Sequence, residues 1–157
     1  MPIAVITAGK DHLDWLLTRD RHISPGWVLR CLAAGEYLVA IEGAAPVGFL
    51  RYSWFWRAIP YMELIRVDEV HRRSGVGSAL VAAWEAAMRE QGASLLMTSS
   101  MADEPEPRAW HRRNGFVDSG ALTFGALQAT PEVFFVKAIE PRAIRRPTPP
   151  GSRTPRP

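Results

Sequence analysis

The stretch Glu69–Ser94, EVHRRSGVGSALVAAWEAAMREQGAS, decides how this chain is read. An apolar run, Tyr61–Val67, leads into it. Arg72 and Arg73 come next, then Gly75 and Gly77, then an alanine-rich segment expected to be helical from about Gly75 to Gln91, with Gly92 as its stop. A helix start offers unpaired N–H groups and roughly half a positive charge, so it attracts anions. Glycines let the backbone approach a ligand with no Cβ in the way. Arginines add forked donors suited to phosphate. Together these features describe a pyrophosphate cradle. Two other phosphate loops fail on spacing. A Walker loop needs Lys followed by Ser or Thr, where Ser78-Ala79 stands. A dinucleotide fingerprint needs Gly or Ala where Leu80 stands, and an acid where the next strand reads Met97-Thr98-Ser99. A tight turn beside two solvated arginines is the plain alternative.

Outward from this loop the pattern is mixed. Ile3–Thr7 alternates as a first strand, and Asp11–Thr18 reads as a helix. Ser24-Pro25 starts a second helix, which ends at Gly35. Glu36–Glu42 and Pro46–Trp56 read as hairpin strands, and a loop with Pro60 leads to the strand Tyr61–Val67. After the long helix come a strand at Ala93–Ser99, a short helix at Glu106–Asn114 ending at Gly115, and strands at Phe116–Leu122 and Glu132–Ile139. One strand–helix–strand crossover sits among antiparallel strands, so the fold class is α+β with a mixed sheet.

The chain has 157 residues, the size of one domain, and 47% hydrophobic residues supply a core. The lone Cys31 excludes an internal disulfide and a multi-cysteine zinc site, and no metal is expected. The start lacks a basic segment followed by an apolar one, and no run of about 18 apolar residues exists, so the expectation is a cytoplasmic protein without a membrane partner. The net charge of +3 is uneven. Residues 141–157 hold five Arg, six Pro and no acid, leaving 14 basic against 16 acidic residues in 1–140. A domain over 1–140 and a disordered Pro/Arg-rich tail over 141–157 are expected. The near-neutral domain argues against nucleic acid as a partner.

The segment VDEVHRRSGVGSALV resembles the acetyl-CoA-binding motif of the GNAT acyltransferase superfamily, Arg/Gln-x-x-Gly-x-Gly/Ala after a strand ending in Val. Arg72, Gly75 and Gly77 occupy the named positions, and Val67 ends the strand. Later, AWHRRNGF resembles the family's second motif, an aromatic-rich helix closing in Gly-Phe. The element order matches over residues 3 to 138. In detail the second half is similar to a bacterial subgroup, which implies no particular acceptor. The resemblance implies a central sheet of six to seven strands with about four helices and splayed middle strands. It also implies that acetyl-CoA is the cosubstrate and that an amine of a small molecule or peptide attacks the thioester directly in a ternary complex.

The remaining roles are implied by the match, residue by residue. Backbone groups of Ile65 and Val67 would meet the pantetheine arm, and amides of Arg73, Ser74, Gly75, Val76, Gly77 and Ser78 the pyrophosphate. Glu63, sharing strand parity with Ile65 and Val67, would be the general base; a salt bridge to Arg51 or Arg66 explains it equally well. His111 stands where the family usually has an acidic Tyr. A histidine titrating near 6.5 would bend the rate between about pH 6 and 7.5. Trp54 and Trp56, alternating with Tyr52, could wall the acceptor site or simply pack. Glu104, with Asp103 and Glu106, could draw a cationic amine or serve as first-turn acids. Two rivals stay open: a non-catalytic acyl-CoA sensor of the same fold, and a nucleic-acid-binding module working through the basic tail. The sequence fixes no oligomeric state; a homodimer is compatible with it.

Overall fold

A computed structural model describes residues 1–142. The expected tail lies outside them except for Pro141 and Arg142. Arg142 stays on the domain: its N–H donates to the Arg89 carbonyl at 3.0 Å, and its guanidinium pairs with Glu90.

The strands are β1 (Ile3–Thr7), β2 (Tyr37–Glu42), β3 (Ala45–Phe55), β4 (Ile59–Val67), β5 (Leu95–Met101), β6 (Val117–Leu122) and β7 (Glu132–Ala138). They form one sheet in the order β1-β2-β3-β4-β5-β7-β6. Only the β4–β5 pair is parallel. Helices α1 (Leu13–Arg19) and α2 (Pro25–Ala33) pack on one face, where Leu16, Val28 and Cys31 meet Tyr37, Val39 and Phe49. Helix α3 (Val76–Glu90) packs on the other. Its Val76, Leu80, Val81, Trp84 and Met88 recur at helical spacing and lie on Leu38, Leu50, Tyr52, Met62 and Leu96. Helix α4 (Pro105–Arg113) lies against β5 and β6.

The expected loop at Pro60 is instead strand. Ile59 and Pro60 pair with Phe55 and Trp54, and the chain turns at Trp56-Arg57. Both turn residues have positive φ, 53° and 56°, and Ala58 N–H closes the turn on the Phe55 carbonyl at 3.1 Å. Asn-Gly is the usual choice there, which is why Trp and Arg gave no turn signal. Pro60 is tolerated because β4 pairs with β5 only from Tyr61, so on that side Pro60 still lies at an edge.

One irregularity shapes the centre of the sheet. Arg51 pairs with Leu64 and Tyr52 with Met62, so Glu63 is an extra residue, a β-bulge. Met62, Ile65 and Val67 pack with the α3-side core, Leu64 with the α1–α2 core, and Arg66 reaches the Arg19 carbonyl of α1. Glu63 pairs with Arg51, so Glu63 and Leu64 share the α1–α2 face. The expected common parity of Glu63 with Ile65 and Val67 is therefore wrong; the bulge reverses it. The same bulge bends β4 away from β5, whose ladder holds only Tyr61↔Met97 and Met62↔Thr98.

Arg51 is the electrostatic anchor of the α1–α2 face. Its side chain is buried, donates from Nε to Asp20 at 2.7 Å, and pairs through Nη1 with Glu63. Tyr37 donates its hydroxyl to the same Asp20 carboxylate at 2.6 Å. Removing one partner of a buried pair leaves an uncompensated charge. Asp20→Ala should therefore destabilise the fold by about 3–5 kcal/mol in urea unfolding. A loss below about 1 kcal/mol would mean that solvent reaches Arg51.

Candidate active site

The gap between β4 and β5 is V-shaped, closed at Tyr61–Met62 and open toward the C-terminal ends of both strands. Its closed end is pinned by the Thr98 hydroxyl, which donates to the Met62 carbonyl at 3.1 Å. On the other side of β4, Asp68 N–H bonds the Val47 carbonyl of β3. Antiparallel alternation then turns the amides of Leu64 and Arg66 toward β3 and those of Ile65 and Val67 into the gap β5 has left.

At the open end sits the glycine loop. Among the described residues, the amides of Arg73, Ser74, Gly75, Val76, Gly77 and Ser78 have no protein acceptor, whereas the Arg72 and Ala79 amides do. Six consecutive free donors at a helix N-terminus suit an anion with several oxygens. Gly75 is the N-cap at φ 86°, a conformation glycine adopts freely, and the space where its Cβ would stand is open. Arg73 also takes positive φ, 61°. Arg72 and Arg73 are exposed, and Arg72 Nε donates to the Val67 carbonyl at 3.3 Å. Ser74 bonds the His71 carbonyl, and the Val76 side chain is core. Gly77 serves packing: a Cβ there would lie 3.2 Å from the Trp110 ring and 3.9 Å from Val67. The glycine of one motif thus seats the tryptophan of the other.

Glu63 and His111 lie on opposite faces of the sheet at this gap. Glu63 is half-exposed; Arg51 holds Oε2, and Oε1 has no protein partner among the described residues. His111, on α4, is buried against Trp110, Phe116 and Phe135. Burial pushes its pKa down to about 4, opposed in part by the Ser99 backbone and Glu132. The expected bend between pH 6 and 7.5 is therefore corrected: His111 is neutral throughout that range. Its Nδ1 is buried without a partner among the described residues.

The acceptor-side expectations fare unevenly. Tyr52 is core against Trp84. Trp54 lines a cavity of about 470 Å³ with Ile23, Trp27, Cys31, Arg51 and Glu63. Trp56 leaves the strand, stands in the turn and is 81% exposed, so it does not share a strand face with Trp54. Glu104 is the N-cap of α4 without a side-chain cap bond and lines neither cavity described here. Trp27 was not anticipated; it follows the Ser24-Pro25 helix start, and only the packing of α2 over β3 and β4 brings it to Glu63. No cluster of three or more metal-ligating side chains occurs among the described residues, and no helix there is long and apolar enough to cross a membrane.

Comparison with known proteins agrees with this geometry. Residues 9–116 match the profile of the Acetyltransferase (GNAT) family. No curated protein matches the chain at a significant level. Among solved structures, Ard1 from Thermoplasma volcanium superposes with a TM-score of 0.77 at 20% identity, covering 88% of this chain and 99% of that one. The ribosomal-protein-alanine N-acetyltransferase from Brucella melitensis gives 0.72 at 21% identity, covering 87% and 99%. The Salmonella typhimurium protein yncA, solved with its cofactor acetyl-CoA, gives 0.73 at 14% identity, covering 93% and 99%.

The depressed His111 titration has a consequence for stability. As pH falls from about 6.5 to about 4, the unfolded chain takes up a proton at this residue and the native state does not, so stability falls through that window. The loss is on the order of 3 kcal/mol. His111→Phe should lose less stability than wild type between about pH 7 and about pH 4.5 in urea titrations. Identical acid profiles would place the imidazole in contact with solvent.

Proposed function

The chain belongs to the GNAT acetyltransferase family, and from that premise we propose that it transfers the acetyl group of acetyl-CoA to a primary amine of a small molecule or peptide by direct attack in a ternary complex. The observation that carries the cosubstrate is the run of six unpartnered amides, Arg73 to Ser78, at the mouth of the gap. These amides, with Arg72 and Arg73, would hold the pyrophosphate, and the gap-facing backbone of Ile65 and Val67 would pair with the pantetheine arm. Acetyl-CoA supplies an activated thioester. The amine nitrogen adds to its carbonyl carbon, the C–S bond breaks, one proton leaves the nitrogen, and the departing thiolate takes one up.

Glu63 is assigned to the first proton. Glu63 lines the cavity shared with Trp27 and Trp54, and Arg51 holds its carboxylate in place through Oε2. His111 is assigned to the thiolate side. A neutral imidazole buried beside the gap can donate from one nitrogen and accept at the other. Trp54 is kept as an acceptor-wall residue; Trp56 and Glu104 are assigned to the approach of the acceptor. The domain is assigned to residues 1–140, with Arg142 bonded back onto it.

Two measurements test this reading. Gly75→Glu should abolish CoA binding in calorimetry, because it places a carboxylate in the open space before the free amides and strains the positive-φ N-cap. Arg72→Ala should weaken CoA more than dephosphorylated pantetheine. Unchanged CoA affinity in both folded variants would remove the cradle. Glu63→Gln should lower thiol release from acetyl-CoA, across a panel of polyamines, aminoglycosides, amino acids and peptide N-termini, by roughly 10²-fold or more with CoA affinity unchanged. CoA binding without turnover of any amine would favour the sensor reading.

A further inference from the structure

A second cavity of about 510 Å³ lies on the same face as Glu63, over the half of the sheet that α1 and α2 leave bare. Its walls are Phe55, Tyr61, Met97, Leu122, Phe124 and Phe134. The size is ordinary for a small-molecule site, and the lining is almost wholly apolar. It adjoins the Glu63 cavity. Tyr61, in one, is the direct cross-strand partner of Ser53, in the other, and precedes the bulge at Glu63 by two residues. Tyr61 and Met97 are also a pair at which β4 and β5 still join. The hollow therefore sits at the closed end of the gap.

Its polar end has a fixed direction. Tyr61 and Ser99 oxygens are 2.6 Å apart, Ser99 donates to Glu132 Oε1 at 2.5 Å, and Gln128 donates to Glu132 Oε2 at 2.9 Å. A carboxylate only accepts, so the single Ser99 proton points to Glu132, and Tyr61 must donate to Ser99. The Tyr61 oxygen is left with lone pairs and a negative charge behind it. Such an end favours an N–H donor carrying positive charge and repels an anion. No lining residue is basic.

We propose that this hollow is the acceptor's side-chain subsite and that the acceptor is a primary amine bearing a bulky apolar group, its ammonium drawn to the Tyr61 oxygen with the Glu132 carboxylate behind it. The proposal rests on the acetyl-transfer reading above and adds the substrate class. The same chemistry is offered by a free arylalkylamine and by a peptide N-terminus next to an aromatic side chain.

Calorimetric titration of the full chain tests it, with 2-phenylethylamine, the dipeptide amide Phe-Gly-NH2, ethanolamine and 3-phenylpropionate as probes. At least one aromatic amine should bind about tenfold or more tightly than ethanolamine, and phenylpropionate should bind more weakly than either. Whether the dipeptide or the free amine binds better identifies the source. Ala121 lines the hollow and is exposed, so Ala121→Trp should fill it without unfolding the domain. The variant should lose about tenfold in aromatic-amine affinity and keep CoA affinity. Phe124→Ala, at a wall 41% exposed, should also weaken aromatic probes. Equal affinity for all amines, or no binding of any, overturns the proposal. So does a wild-type dimer in sedimentation that Ala121→Trp converts to monomer, which would give the hollow to a second copy. Loss of CoA binding with retained amine binding would instead count against the acetyl-transfer reading alone.

Discussion

The bulge at Glu63 is the constraint on which the rest depends. One extra residue in β4 puts Glu63 and Leu64 on the same face and opens β4 away from β5. Without it, β4 and β5 would continue their parallel ladder, and the amides of Ile65 and Val67 would be spent on β5. The bulge therefore makes the gap and sets a carboxylate at its closed end in one step. Its geometry is held by side chains on both faces: Arg51 takes the Glu63 carboxylate on one, and Met62 is buried under α3 on the other. Bulges commonly re-aim a side chain next to a site, and this one does so.

Charge is segregated across the gap. At the open end, six free amides and two exposed arginines make a surface for an anion. On the α1–α2 face, acceptor groups facing the two cavities include the Glu63 and Glu36 carboxylates and the Tyr61 oxygen backed by Glu132. Arg51 does not cancel this, because Asp20 lies at its other end. A polyanionic cosubstrate and a cationic amine can thus enter by different routes without competing for the same charge. This separation suits a ternary complex.

The two motifs are mechanically joined. The Trp110 ring lies 3.2 Å from where a Gly77 Cβ would be, so α4 is seated on the first turn of α3, the turn that carries the free amides. That contact brings His111, the next residue, against Phe135 beside β5. A tyrosine at this position would bring a hydroxyl protonated at neutral pH. The histidine, driven neutral by burial, offers one N–H and one lone pair instead.

The sequence by itself determined the local features. The helix start with its glycines and arginines was legible because these residues are contiguous, and their physics acts within one turn. The helices were legible from spacing and caps such as Ser24-Pro25 and Gly92. The α+β class followed from element order. What only the tertiary structure decided involves residues distant in the chain. Strand parity predicted the wrong face for Glu63, because a bulge depends on the register with β3, which periodicity does not record. Trp56 was placed on a strand that ends one residue earlier, because a positive-φ Trp-Arg turn has no propensity signal. Burial against Phe116 and Phe135 pushes the His111 pKa down from its usual 6.5 to about 4, an environment that no local sequence signal records. Tyr61, Ser99 and Glu132 come from three strands and meet only where β4, β5 and β7 lie side by side; no spacing in the sequence could announce them.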